Sequence, residues 1–138
     1  MGRSRGGFGS KLHLTTERRG KPIATQLTSG QRHESTKATA LLAETLTRMW
    51  PDSVAGDKAF STIEFRNWLT AREIIPVIPY RDNESGPKTY DRDKYRERPI
   101  VERTINRLKR YRRIATRYEK RAAAYLAMVT VACILEWL

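Results

Sequence analysis

The apolar positions of the chain change their spacing along its length. Phe8, Leu12 and Leu14 fall on one face at period two, and a second extended run, PIATQLT, follows at 22–28. TTERRGK between them is turn material, so the pair predicts a β-hairpin with one buried face. From Ser35 the spacing becomes three and four: Ala38, Leu41, Leu42, Thr45, Leu46 and Met49 line one side of a helix that Pro51 stops. SVAG at 53–56 predicts a short buried strand that delivers Asp57 at its C-terminal end. Ser61-Thr62-Ile63-Glu64 has the spacing of a capping box and opens a helix through Trp68 to Glu73. IIPVIPY at 74–80 is β-branched but interrupted by prolines, which suits a strand at a sheet edge. RDNESGPKTYDRD at 81–93 is a polar loop, and a long helical zone follows, basic from Arg92 to Arg121 and apolar from there on.

The order strand, strand, helix, strand, helix, strand, then helices describes an α/β domain with a mixed sheet. With 138 residues, one domain is the expectation. The apolar run Ala122 to Leu135 is 14 residues long, broken by Thr130 and closed by Glu136. It falls short of the roughly 20 residues that span a bilayer, so it predicts a buried helix. Trp50, Trp68 and Trp137 are assigned to the core on the same grounds.

Charge sharpens this picture. Lys and Arg number 27 against 15 Asp and Glu, giving a net charge of +12 and a pI of about 10.3. Such a surplus calls for an anionic partner, with nucleic acid ahead of anionic membrane, because phosphate neutralisation supplies most non-specific affinity. Within Arg92 to Arg121 there are thirteen Arg or Lys and four Asp or Glu, so the charge is concentrated there. Arg110, Arg112, Arg113 and Arg117 are candidates for phosphate contact. Cys133 is the sole cysteine, which rules out an intrachain disulfide or a cysteine-based zinc site and fits a reducing, cytoplasmic setting. The N-terminal MGRSRGGFGSK is basic without a following apolar core, so it is read as a flexible lead-in over 1–7 and not a secretory signal. His13 is expected to be packed or paired; His33, at a helix start, to cap the helix or reach DNA.

Candidate chemistry lies in YRERPIVERTINRLK, 95–109. On one continuous helix Tyr95, Arg98, Glu102 and Lys109 would share a sector of roughly 60°, beside a core stripe of Val101, Ile105 and Leu108. Pro99 complicates this: proline favours the first helical position and disfavours helix just before it, so Arg98 is a candidate cap and Tyr95 a candidate for exclusion from the helix. Taken alone, Glu102 reads as a solvated acid paired with Arg98 four positions back. Asp57 raises another reading, since carboxylates from a strand end and a helix can converge on a divalent metal, and Mg²⁺ prefers such oxygen ligands.

The spacing Tyr-x2-Arg-x3-Glu-x6-Lys resembles the motif of bacterial insertion-sequence transposases of the DDE class, which have a ribonuclease H-like catalytic fold. GRSRGGFGSKLH, LTSGQRHES, VAGDKAF and IVERTINRLKRYRRIATRYEK resemble segments of one transposase subgroup in the same order. The resemblance implies that Asp57 and Glu102 are the second and third of three metal-binding acids. It also implies that Tyr95, Arg98 and Lys109 handle the DNA backbone near the cut, with Mg²⁺ or Mn²⁺ as cofactor. The family's first aspartate has no counterpart here. A smaller departure is Phe60-Ser61, where many relatives have Tyr-Asp.

The resemblance therefore implies a partial catalytic domain over 1–138, with Asp57 in its sheet-and-helix part at 8–91 and Glu102 in the C-terminal helices at 92–138. Its ribonuclease H-like mixed sheet, flanked by helices, lacks the first strand. The expected function is the C-terminal part of a DNA transposase that cuts and joins DNA strands, inactive without an upstream segment carrying the missing aspartate. Expected partners are DNA at element ends and target, and a second subunit or upstream-frame polypeptide, in the bacterial cytoplasm at the nucleoid with no membrane involvement. The competing reading is a non-enzymatic basic nucleic-acid-binding protein or a dead remnant, in which both acids are structural.

Overall fold

The structure, a computed structural model, describes residues 10–29, 35–84, 88–112, 114 and 121–138. Phe8, His33, Arg113, Arg117 and the lead-in over 1–7 lie outside the described residues. The chain divides into two compact units, one comprising residues 1–32 and 99–138 and the other 33–98.

The first unit opens with the expected hairpin. Strand β1, Ser10–Thr16, pairs antiparallel with β2, Pro22–Ser29, so that Leu12 faces Leu27 and Leu14 faces Thr25. Period-two spacing puts Leu12, Leu14 and Leu27 on one face, which packs on two helices, α4, Pro99–Leu108, and α5, Ala122–Trp137. Leu108, Val129 and Ala132 are the buried centre of that core, with Val101 and Ile105 beside them. On the other face of the hairpin, buried His13 Nε2 lies 2.7 Å from Thr28 Oγ1, so this histidine is paired, as expected.

The turn between the strands is closed by Gly20 N–H donating to Glu17 O at 2.9 Å, with Gly20 at φ +86°. A Cβ added there would come within 3.0 Å of Ile100 Cγ2 and 3.0 Å of Thr104 Oγ1, so glycine is required by both conformation and space. The Gly20 carbonyl accepts from Thr104 Oγ1 at 2.5 Å and from Arg107 Nη2 at 2.8 Å. Arg107 Nε donates to Glu136 Oε2 at 2.7 Å, and Trp137 Nε1 donates to Pro22 O at 2.6 Å. The hairpin turn, α4 and the end of α5 are thereby fastened at one point.

The apolar run at the C-terminus forms the predicted helix, but its burial is one-sided. Tyr125, Val129, Ala132 and Cys133 face the core, whereas Val131, Ile134 and Leu135 are exposed, Ile134 to 57 %. A 16-residue helix with one covering layer has only one side to bury, whatever its composition. Burial pushes the Cys133 thiol up to about 11, with the Glu136 carboxylate adding to the effect. No described helix is long and apolar enough to cross a membrane.

The second unit holds α1, Ser35–Leu46, then β3, Ser53–Ala55, α2, Ile63–Thr70, β4, Ile75–Val77, and the single-turn α3, Arg92–Tyr95. Strands β3 and β4 pair in parallel, Val54 opposite Pro76. Both pairing directions of a mixed sheet are thus present, in two separate two-stranded ladders among the described residues. Ala38, Leu42, Phe65, Leu69, Ile74 and Ile78 form the core of this unit, with Trp68 packed against it. Trp50 and Trp137 do not join a core: they are 60 % and 49 % exposed, Trp50 in the connection between α1 and β3 and Trp137 as the last residue of α5. Met49 is likewise exposed, beyond the end of α1 at Leu46.

The start of α2 differs from the capping-box expectation. Thr62 is the cap, its side chain accepting from Phe65 N–H. Buried Ser61 instead donates to the Glu84 carboxylate (Oε2 at 2.7 Å) and accepts from Arg66 Nη2 at 2.7 Å. Arg66 stacks over Tyr80 at 3.6 Å and also donates to Ile78 O at 2.9 Å, so its charge is spent inside the unit. Burial alone would raise the Glu84 carboxyl, but the Ser61 hydroxyl, the Arg81 amide and the charges of Arg66 and Arg81 together hold it below its ordinary value of 4.5. The Phe60-Ser61 departure therefore falls on a buried hydrogen-bond junction.

At its other end α2 stops in a Schellman arrangement: Ile74 N–H reaches Leu69 O, and Glu73 N–H reaches Thr70 O. This places Glu73 at φ +59°, a conformation costly for a residue with a Cβ, and brings buried Ile74 back onto buried Leu69.

Two outcomes follow for stability. Glu73→Gly should raise the unfolding free energy by about 0.5–1 kcal/mol in urea melts, because glycine takes the left-handed position without the Cβ penalty; an unchanged or lower value would remove the strain assignment. Glu84→Gln should lower it by about 1–2 kcal/mol at pH 7 through weakened hydrogen bonds to the former carboxylate. Since the folded Glu84 pKa is depressed, that contribution is present above its unfolded value and lost as pH falls through the folded one. The gap between wild type and variant should accordingly close below about pH 4, and a gap constant down to pH 2 would refute the ionic origin.

Candidate active site

Asp57 follows β3, where the parallel ladder ends with Gly56 N–H donating to Val77 O at 3.2 Å. Its extended backbone, φ −69° and ψ 160°, leads into a single 3-10 turn, Lys58–Phe60, and its carboxylate is about half exposed. The short strand thus presents an acid at its C-terminal end, as the sequence predicts.

Arg98 Nη1 lies 3.5 Å from Asp57 Oδ2. The same guanidinium sits 5.4 Å from the Tyr95 ring centroid, Tyr95 meets Tyr90 edge-on at 5.6 Å, and Arg92 lies 5.8 Å from the Tyr90 ring. Two rings held between two cations form a file that ends on the Asp57 carboxylate. Each cation–ring step holds a positive charge near a partly buried surface at little desolvation cost. Tyr90 and Arg92 belong to this file although their segment reads only as polar loop; the alternation of Tyr and Arg in TYDRDKYRER is the signal that could have found them.

Tyr95 and Arg98 do not share a helix with Glu102. Helix α3 ends at Tyr95, Arg96 to Arg98 form turns closed by bonds such as Arg98 N–H to Tyr95 O at 3.0 Å, and α4 begins at Pro99. The single 60° sector expected for all four motif residues is therefore not formed. Proline lacks the N–H a continuing helix would need, and the chain restarts at it. Asp57, Tyr95 and Arg98 belong to one unit, and Glu102 and Lys109 to the other.

On α4 three rows separate by side. Val101, Ile105 and Leu108 face the core, Ile100, Thr104 and Arg107 face the hairpin turn, and Glu102, Arg103 and Asn106 are exposed. Lys109, whose N–H still bonds Ile105 O at 3.0 Å, extends the exposed side with Arg110, and Arg112 is exposed as well. Glu102 and Lys109 keep the relation expected of them, two turns apart on one face. Arg107 and Glu136 were not anticipated as partners, since 29 residues separate them and only packing brings them together.

Among the described residues no group of three or more His, Cys, Asp or Glu lies together as a metal-binding cluster. Asp57 offers one accessible carboxylate, which suits Mg²⁺, an ion that takes one or two carboxylates and fills the rest with water and phosphate oxygen.

Residues 2–137 match the family described as "Transposase DDE domain". The chain belongs to this family. The transposase of insertion sequence element IS6501 from Brucella ovis, so described by name, is 34 % identical over 133 residues, covering 94 % of this chain and 98 % of that protein. The protein described as the transposase of element IS402 from Burkholderia cepacia is 32 % identical over 137 residues. That comparison takes in 92 % of this chain, which spans 62 % of the relative's length. No solved structure matches this transposase domain. The family is the one that the spacing of Tyr95, Arg98, Glu102 and Lys109 resembles, and transposases bind DNA.

Proposed function

We propose that the chain is the part of a DNA-cleaving and DNA-joining transposase that carries Asp57 and Glu102 as two of its metal-binding acids. The observation that carries this is Asp57 itself, an exposed carboxylate at a strand end with Arg98 and Tyr95 of the family motif gathered beside it. Asp57 and Glu102 would hold Mg²⁺, which when bound supplies activation of the attacking oxygen and neutralises charge on the transferring phosphate.

The chain's own residues have distinct tasks in that reaction. Arg98, now 3.5 Å from Asp57, can turn its other N–H groups to a non-bridging phosphate oxygen. Tyr95 offers a phenolic donor to the same phosphate, and Lys109 a point charge on the Glu102 face of α4. In the first step water oxygen bonds to phosphorus and the 3′-oxygen leaves as a hydroxyl. In the second the oxygen of that hydroxyl bonds to a target phosphorus while the target strand's own 3′-oxygen leaves as a hydroxyl, so bond number is conserved and no covalent enzyme intermediate is needed.

On this reading the fold is ribonuclease H-like, and the first metal-binding acid is supplied by an upstream-frame polypeptide. Joining two element ends calls for more than one subunit, and the substrate places the protein at the bacterial nucleoid. A second reading, a basic DNA-binding protein with structural acids, is favoured by the Asp57–Arg98 ion pair.

One experiment separates the two. The chain joined to its upstream-frame polypeptide should cut duplexes ending in the element's inverted repeat in a Mg²⁺-dependent way, while the chain alone should not. Asp57→Ala and Glu102→Ala should each reduce cleavage on the order of a hundredfold or more with DNA binding retained. Cleavage that survives both substitutions would overturn the metal assignment and leave the second reading.

A further inference from the structure

The hairpin turn carries Arg18 and Arg19, both exposed, immediately before the clamped Gly20. Loop tips are ordinarily the least restrained part of a hairpin. This one is held by two hydrogen bonds to a single carbonyl, one of them from a guanidinium that Glu136 itself fixes. Consecutive Cα atoms are about 3.8 Å apart, so the Arg19 and Arg18 backbones lie within about 4 and 8 Å of Gly20, the residue held against α4.

The helical wheel says which side of α4 they adjoin. Taking the row that faces the turn, Ile100, Thr104 and Arg107, as origin, Arg103 and Arg110 lie roughly 60–80° around the helix, away from the core stripe. Glu102 and Lys109 lie on the far side of that exposed surface, at roughly 160–180°. Along α4 and the turn that follows it, the exposed cations whose angular position is nearest the row facing the tip are therefore Arg103 and Arg110, while Lys21, next to Gly20, reaches Trp137. Arg107, though it stands between them in sequence, is turned inward to Gly20 and Glu136.

We propose that Arg18 and Arg19, with Arg103 and Arg110, form a phosphate-gripping ridge for duplex DNA, distinct from the Asp57 file and set in place by the Gly20 clamp. It rests on the DNA-acting reading above for its partner. From Arg103 to Arg110 is about 10 Å along the helix axis, over which a duplex presents about six phosphate charges. Arg103 on α4 and Arg110 in the turn just past its end leave most of that charge unanswered, and the tip supplies two more with backbone already ordered. Pre-ordering matters because each arginine that must be immobilised on binding costs affinity.

The test is binding of the 138-residue chain to a fluorescein-labelled random-sequence duplex, followed by anisotropy between 50 and 200 mM salt. Arg18→Ala/Arg19→Ala should weaken binding on the order of tenfold or more and reduce the slope of log K against log salt by about 1.8, near 0.9 per lost contact. Lys37→Ala/Arg48→Ala, which removes the same charge from α1 and the turn after it, should leave the slope unchanged. Gly20→Ala, which keeps both arginines but forces the turn off α4, should reduce the slope in a variant that circular dichroism shows to be folded. An unchanged slope in the Arg18/Arg19 variant, or an equal fall in the α1 control, overturns the ridge. If the slope falls while Asp57 and Glu102 variants still cut, the ridge stands and the metal assignment fails; lost cleavage with an unchanged slope gives the reverse.

Discussion

One backbone carbonyl organises the unit that carries Glu102. Gly20 O accepts from Thr104 and Arg107, and because Arg107 is also tied to Glu136, three elements distant in sequence meet at a single oxygen. The carbonyl can be approached so closely only because residue 20 has no side chain and can adopt φ +86°. The rotation of α4 about its own axis follows from this contact: with Thr104 and Arg107 turned to the hairpin and Val101, Ile105 and Leu108 to the core, Glu102 and Lys109 have no direction left but outward.

A comparable economy operates in the other unit, around Arg66. Its guanidinium stacks on Tyr80, donates to Ser61 and to the Ile78 carbonyl, and stands near Glu84. A partly buried cation of this kind is tolerable because its hydrogen bonds and an ionised partner replace the lost water. In a chain with 27 basic residues it is easy to assign every arginine to DNA. Arg66 and Arg107 show that the charge is divided: some of it builds the scaffold, and the exposed remainder is what a polyanion can meet.

The elements were largely legible. Period-two spacing located the hairpin, three-and-four spacing located α1, and the SVAG run located β3 with Asp57 just beyond it, because local sterics and burial act within a few residues. The errors share a cause, which is choice between local signals of similar strength. Ser61 and Thr62 are both capping residues, and Ser61 was drawn away by Arg66 and Glu84, groups that no local pattern reveals. The apolar run of α5 suggested burial all round, yet a single covering layer leaves Ile134 and Leu135 in water. Of the site, the motif spacing made Tyr95, Arg98, Glu102 and Lys109 visible as a set, while Tyr90 and Arg92 were hidden in a segment without periodicity.

The sequence by itself determined which residues could carry charge and chemistry, roughly where most helices and strands lie, and, through Pro99, that Tyr95 was a candidate for exclusion from the helix of Glu102. Those properties depend on neighbours in the chain, whose geometry covalent bonds and proline's ring constrain. Only the tertiary structure decided that Asp57 would take Arg98 as its partner, that Arg107 would turn inward to Gly20, and that Gly20, which follows Arg18 and Arg19, would be held against α4. Those outcomes depend on distances between residues 40 to 90 positions apart, and such distances are set by the packing of whole elements against one another.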